Sequence, residues 1–200
     1  FKDVTAPTNV RTMIAAIVPQ AGYGNTLPLI GTPTPREAVV LAGNLNAFVL
    51  DYTARQKVQG QHVNWYLVKQ LPILPPDAYD RRFGTMTARE IVAREVLHLT
   101  YTAHDMAPFA RDMGHVDDAG DVLPPFRWDE ADRRQRRARL DALFFHLYGI
   151  GRDDADYILS TFPIVRRQDE AAFGRFLTRD LILHHMAALA AGDADAVIAI

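Results

Sequence analysis

Between Arg55 and Asn64 the chain places Arg55, Gln56, Lys57, Gln59, Gln61, His62 and Asn64 within ten positions. Each can hydrogen-bond a planar polar edge. Asn and Gln match adenine in a bidentate way, Arg and Lys match guanine, and short polar groups settle against phosphate. Asn9 and Arg11 stand ahead of an apolar run, and Lys69 follows a second one. The loop Gln20–Pro33 adds Tyr23, Asn25 and Thr26. Recognition of duplex DNA is the chemistry these residue types suit, with Arg55 and Lys57 as phosphate contacts. Arg11, Arg55, Lys57, Lys69 and the Gln20–Pro33 loop are expected to border one positive, concave face.

Other chemistry lacks its residues. "LPPF" (Leu123–Phe126) has the shape of the amino-methyltransferase tetrapeptide, but Leu123 carries no acceptor for an exocyclic amine. A restriction-nuclease core needs an acid two positions before a Lys, where Lys57 and Lys69 have Arg55 and Leu67. "AGYGNT" and "LYGIGR" contain Gly-x-Gly without a third Gly or a Lys-Ser/Thr. His184 and His185 are adjacent, so on a helix they diverge by about 100° and cannot chelate together. Asp153, Asp154 and Asp156 are read as a helix N-terminus rather than a calcium loop. Neither an active site nor a metal site is expected here. A rival reading makes His104, Asp105, His184 or His185 converge in a catalytic pocket.

The elements that must position the polar residues divide near residue 80. "VRTMIAAIVP" is β-branched and stops at Pro19, which predicts a buried strand. Thr34, Pro35 and Glu37 form a capping box. Leu41, Leu45, Phe48 and Tyr52 recur along one face, predicting a single long amphipathic helix. "HVNWYLVKQL" alternates like a strand, and the prolines of "LPILPP" end it.

After the connector "DAYDRRFG", helix signals dominate. Thr87 with Glu90 opens one helix, with Val92, Val96 and Leu99 inward. Thr102 with Asp105 opens the next, ending at Gly114. "EADRRQRRARLDALFFHLYG" forms a helix with Leu140, Leu143, Phe144 and Leu147 inward. Asp153 or Asp154 opens a short helix toward Phe162, and Thr178 opens the last, stopping at Gly192. The arginine block Arg133–Arg139 is expected to be a salt-laced solvated face, paired one turn away with Asp129, Glu130 and Asp132. Phosphate contact is the sharper alternative.

The expected fold class is therefore α+β. Residues 1–80 form a small mixed α/β part, and residues 81–200 an all-α helical bundle.

At 200 residues and 48% hydrophobic, the chain can bury a substantial core. Its net charge of −2 argues weakly against a dedicated nucleic-acid binder. The only lysines are Lys2, Lys57 and Lys69, so Arg supplies every other cation. Without Cys, disulfides and thiolate zinc sites are excluded, and a cytoplasmic, monomeric fragment with no membrane partner is expected. Because the chain starts at Phe1 and stops inside the apolar run "DADAVIAI", we expect a piece of a longer protein.

"TNVRTMIAAIVP" followed by "LAGNLNAFVLDYTARQKVQGQHVNWYLVKQLPILPP" resembles the C-terminal specificity region of adenine-N6 DNA methyltransferases. These belong to large restriction–modification and phage-defence enzymes, including type IIG fusions. The "LN" within a helix, Gly60-x-x-x-Asn64 and Pro72-x-x-Pro75 are also similar to the target-recognition modules of type I specificity subunits. "LHLTYTAHDMAPFARDMG", "LDALFFHLYGIGRDDADYILSTFPIV" and "FGRFLTRDLIL" resemble the helical tail of the same enzymes.

The resemblance implies double-stranded DNA as partner and an upstream methyltransferase domain in the same chain. S-adenosylmethionine is implied for that parent, with Mg2+ if it also cleaves DNA, and no cofactor within these residues. Elements shared among proteins that read different DNA sequences can equally be scaffold. Asn44, Asn46, Arg55, Gly60 and Pro72 are candidates for that role, and Gln56–Asn64 stay open between reader and scaffold. The rival class is a helical protein-interaction module docking a nuclease, helicase or methylase partner.

Overall fold

The chain winds mostly into helices, with one two-stranded antiparallel ribbon, in a computed structural model that describes residues 1–6 and 8–199. Two helices open it, α1 (Pro35–Leu45) and α2 (Phe48–Lys57), followed by the single-turn α3 (Trp65–Val68). Strands β1 (Arg82–Phe83) and β2 (Met86–Thr87) pair before α4 (Ala88–Thr100). The remainder is α5 (Ala107–Asp112), α6 (Glu130–Leu147), α7 (Arg152–Ser160), α8 (Pro163–Phe173) and α9 (Leu177–Ala190).

Both expected capping boxes form. Thr34 accepts from the Glu37 N–H while Glu37 reaches back to the Thr34 N–H, and Thr87 and Glu90 do the same for α4. Each satisfies two of the backbone donors that a helix start leaves without a partner.

The long helix expected across Leu41–Tyr52 breaks instead at Asn46–Ala47. Ala47 is extended (φ −70°, ψ 141°), and the chain restarts as α2. Ala47 has no side chain able to cap, so the Phe48 N–H is taken by Asp141 Oδ1 of α6 at 2.7 Å. A carboxylate 93 positions away thus starts this helix.

"VRTMIAAIVP" has no strand partner. Most of its backbone bonds go to side chains: Thr12 and Met13 N–H donate to Asp51, and Ala15 exchanges two bonds with the Asn46 amide, while Ile14 O accepts the Lys2 N–H at 2.9 Å. "HVNWYLVKQL" is also not a strand. His62 makes one isolated bridge with Val4, and the chain then coils, Val68 N–H bonding Asn64 O and Lys69 N–H bonding Trp65 O. Val63, Val68 and Leu71 are the buried positions of this stretch, a spacing alternation does not produce.

Later starts shift as well. The helix expected from Thr102 begins at Ala107, after a 3-10 turn at His104–Met106, with Pro108 in its first turn. α8 was not anticipated, although Pro163 at its start and Gly174 (φ 72°) at its end mark it.

One core joins α1, α2, α4, α6, α7 and α9. Val39 and Phe48 from the first 80 residues meet Val92, Leu143, Phe144, Leu159 and Ile182, all essentially without exposure. Complete burial of such a side chain contributes about 1.5–3 kcal/mol. A second cluster of Phe1, Met13, Leu50, Val63 and Val68 seats the N-terminal segment and α3 on α2.

Candidate nucleic-acid interface

Two cations expected on the outer face point inward. Arg11 Nη2 pairs with Asp141 Oδ2 at 3.3 Å, and its guanidinium lies 3.1 Å from the Phe48 ring centre. Arg55 approaches Asp51 at 3.5 Å, donates to the carbonyls of Thr161 (3.2 Å) and Val10 (3.4 Å), and covers the Phe162 ring at 4.1 Å. Asp51, with no exposure, also receives the Met13 N–H at 2.6 Å. Burial raises the Asp51 and Asp141 carboxyls above their ordinary range, though Met13 opposes this at Asp51 and Arg11 at Asp141. Burial likewise lowers Arg11. The resulting pairs clamp residues 10–13 to α2, α6 and the end of α7. Arg55 thus has the scaffold role that was open to it.

Asn44 and Asn46 are scaffold too. Buried Asn44 donates to the Tyr148 hydroxyl at 2.8 Å and accepts from Leu74 N–H at 3.0 Å. Asn46 replaces a partner strand for Ala15. The Pro72 carbonyl accepts from Tyr148 at 2.8 Å.

The remaining polar residues face outward, and residues 2–5 join them into an edge. Asp3 N–H donates to Thr26 O at 3.0 Å, Val63 N–H donates to Asp3 O at 2.7 Å, and Thr5 N–H donates to Gln61 O at 2.8 Å. His62 Nδ1 lies 2.6 Å from Asp3 Oδ2. The Gln20–Pro33 loop and the Gln59–Asn64 stretch, separate in sequence, are thereby stitched side by side. Asn25, Gln56, Gln59, Gln61, His62, Asn64, Lys2 and Lys69 are exposed along these segments. Lys57 is half-buried and reaches Gln70 at 3.4 Å. Tyr23 is half-buried and donates its hydroxyl to Pro19 O at 2.6 Å. The Asn9 N–H is bonded to Ala6 O. Trp65, packed edge-on against Phe1, and Tyr66 are 42% and 62% exposed next to the amides.

The arginine block is not a solvated face. Arg133 and Arg139 are buried. Glu95, wholly buried on α4, accepts from Arg139 at 2.8 Å, Arg136 at 2.7 Å and Arg94 at 2.9 Å. Arg136 also binds Asp132 one turn back at 2.8 Å, as expected, while Arg137 pairs with Glu130. Asp129 caps α6 by accepting the Asp132 N–H.

Sequence reasoning missed Asp51, Glu95 and Asp141 as organising anions. A usable signal existed: Glu95 falls four residues after Ile91 and three after Val92, on the apolar stripe of α4. A carboxylate there must meet a cation.

His98, His184 and His185 take structural partners. His184 Nδ1 lies 2.6 Å from Asp180 O, and buried His185 Nε2 lies 2.9 Å from Gln135 Oε1. His98 stacks on Phe126 at 4.1 Å. Among the described residues, no group of three or more His, Cys, Asp or Glu is placed to hold a metal ion. In "LPPF" the Leu123 carbonyl accepts from the Tyr101 hydroxyl at 3.0 Å, so this strap is tied to the bundle. No described helix is long and apolar enough to cross a membrane. No family model, curated protein or solved structure matches this chain.

Proposed function

We propose that this chain is the DNA target-recognition part of a restriction–modification or phage-defence adenine-N6 methyltransferase. It would present duplex DNA to a catalytic, S-adenosylmethionine-dependent domain elsewhere in the parent protein. In this reading the recognition-bearing part is residues 1–80, which hold helices and coil rather than the expected strands, and residues 81–200, which carry the β1–β2 ribbon as well as the bundle, brace it. The observation that carries the proposal is the stitched edge: Asp3 and Thr5 hold the Gln20–Pro33 loop beside Gln59–Asn64. It offers exposed amides for base edges, while Lys2, Lys57 and Lys69 supply phosphate contacts. The inward Arg11 and Arg55 then act as clamps that keep the edge rigid rather than as DNA contacts.

The test is fluorescence anisotropy with a labelled duplex across a salt series. Weak binding near ~10⁻⁴–10⁻⁶ M that declines steeply with salt is expected. The combined variant Gln59→Ala, Gln61→Ala, Asn64→Ala should weaken it. Salt-independent binding, or none at low ionic strength, defeats the reading.

A second reading, a docking module for a nuclease, helicase or methylase partner, is favoured by exposed aromatics on the helical half. Trp128, Tyr157 and Phe173 are 60%, 63% and 43% exposed. Under that reading Tyr157→Ser would abolish capture of the purified partner domain and leave DNA affinity unchanged.

A further inference from the structure

A cavity of about 600 Å³ opens between the Val10–Ile17 segment and helices α1, α4 and α6. Its walls are mainly aliphatic and aromatic, with Ile14, Ile17, Val96, Leu99, Leu140 and Phe144 prominent. Ala42 and Gly43 on α1, with Ala47 just before α2, leave it room. Arg11, Arg133 and Arg137 also line it, together with Asp141, which pairs with Arg11.

These arginines differ in one respect. Arg11 has Asp141, and Arg137 has Glu130. Arg139, the other fully buried arginine, has Glu95. Arg133 is 8% exposed, and no carboxylate among the described residues lies within 4.0 Å of it. Its Nη2 donates to Leu99 O at 3.0 Å, its guanidinium stacks 3.7 Å above the Trp128 ring, and its Nε is buried with no hydrogen-bond partner. Burial, with Arg137 adding, lowers its affinity for its own proton, while Glu130 and Asp132 oppose this from beyond contact distance. A buried cation with no carboxylate in contact is costly, and an arriving anion lowers that cost. The adjoining apolar walls favour a ligand that also carries hydrocarbon.

We propose that this cavity binds a small molecule with one anionic head and an aliphatic body. The head pairs with Arg133, and the body lies along Ile14, Ile17, Leu99 and Phe144. The head can be a carboxylate or a phosphate ester, since a planar guanidinium accepts either. This inference does not rest on the DNA reading.

Isothermal titration of the whole chain with octanoate, octanol and inorganic phosphate tests it. Octanoate should bind with one-to-one stoichiometry, and octanol and phosphate alone much more weakly. Arg133→Gln should lower octanoate affinity at least about tenfold, as loss of a charge-assisted bond does. Ala42→Leu, which adds bulk to the cavity and leaves Arg133 in place, should lower it similarly. If Arg133→Gln fails to fold by circular dichroism, Ala42→Leu and the comparison of octanoate with octanol decide. Absence of octanoate binding overturns the proposal. So does octanol or phosphate matching octanoate, or undiminished affinity in either folded variant.

Discussion

Arg11 and Asp141 lie 130 positions apart and form a 3.3 Å ion pair whose carboxylate also starts helix α2 through the Phe48 N–H. One carboxylate thereby joins the N-terminal segment, the second helix and the central helix. Asp141→Ala would leave Arg11 buried beside the Phe48 ring with its paired anion gone and the Phe48 N–H unpaired. Loss of one partner of a buried pair costs about 3–5 kcal/mol. The expected outcome is a drop of that size in urea-derived unfolding free energy, with α-helix content otherwise retained at low temperature.

His185 makes stability depend on mild acid. Burial lowers its pKa from the ordinary 6.5 to about 4, with Arg139 adding and Glu95 opposing. The unfolded chain therefore takes up the proton first. Stability from neutral His185 is fully present above pH 6.5 and is lost as pH falls from 6.5 toward 4, by on the order of 3 kcal/mol. Asp132 and Asp156, whose pKa values are lowered from 3.8, add to the loss only from about pH 5 downward. Denaturation midpoints measured from pH 7.5 to 4.5 should fall for the native chain. The slope should be shallower in His185→Gln; what remains comes from His98, whose pKa burial also lowers, set against the raised carboxyls of Asp51 and Asp141, which act in the opposite sense.

Gly84 and Gly192 bring the β1–β2 turn against the end of α9. A Cβ on Gly84 would stand 2.0 Å from the Gly192 carbonyl oxygen, and Gly84 has φ 62°. Gly84→Ala thus adds a backbone collision to roughly 1–2 kcal/mol of left-handed strain. At Gly192 (φ 82°) the nearest atoms are 3.2 and 3.3 Å away, so Gly192→Ala should cost less. Thermal melts of the two variants should rank in that order.

If the stitched edge contacts duplex DNA, its lysines set the salt response. Replacing Lys57 and Lys69 with Ala should make the slope of log affinity against log salt shallower by nearly two, at about 0.9 for each phosphate contact. Stability should change little, because Lys69 is exposed and Lys57 makes only a 3.4 Å contact with Gln70. An unchanged slope would remove these lysines from the interface.

Much of the helical frame was legible because its signals are local. Thr34 with Glu37 and Thr87 with Glu90 cap helices within one turn, and Leu143 and Phe144 face inward as their spacing requires. The two failed strands share one cause. β-branched or alternating residues make a segment willing to extend, but a strand exists only where another strand supplies the ladder. For residues 12–15 the backbone partners are the Asp51 and Asn46 side chains and a single Lys2 N–H rather than a ladder, and for residues 64–69 the chain bonds to itself. The candidate interface was legible as a set of residue types. Which of them face outward was not, because Arg11 and Arg55 are oriented by acids and rings on distant helices.

The sequence by itself determined helix starts and stops, the apolar stripes, and the concentration of amides before residue 70. These depend on contacts within a few residues. Tertiary structure alone decided where α2 begins, which arginines are consumed internally, and that residues 2–5 lay the Gln20–Pro33 loop beside Gln59–Asn64. A buried charge takes whichever partner the packed core brings within reach, and proximity across a hundred residues leaves no local trace in the chain.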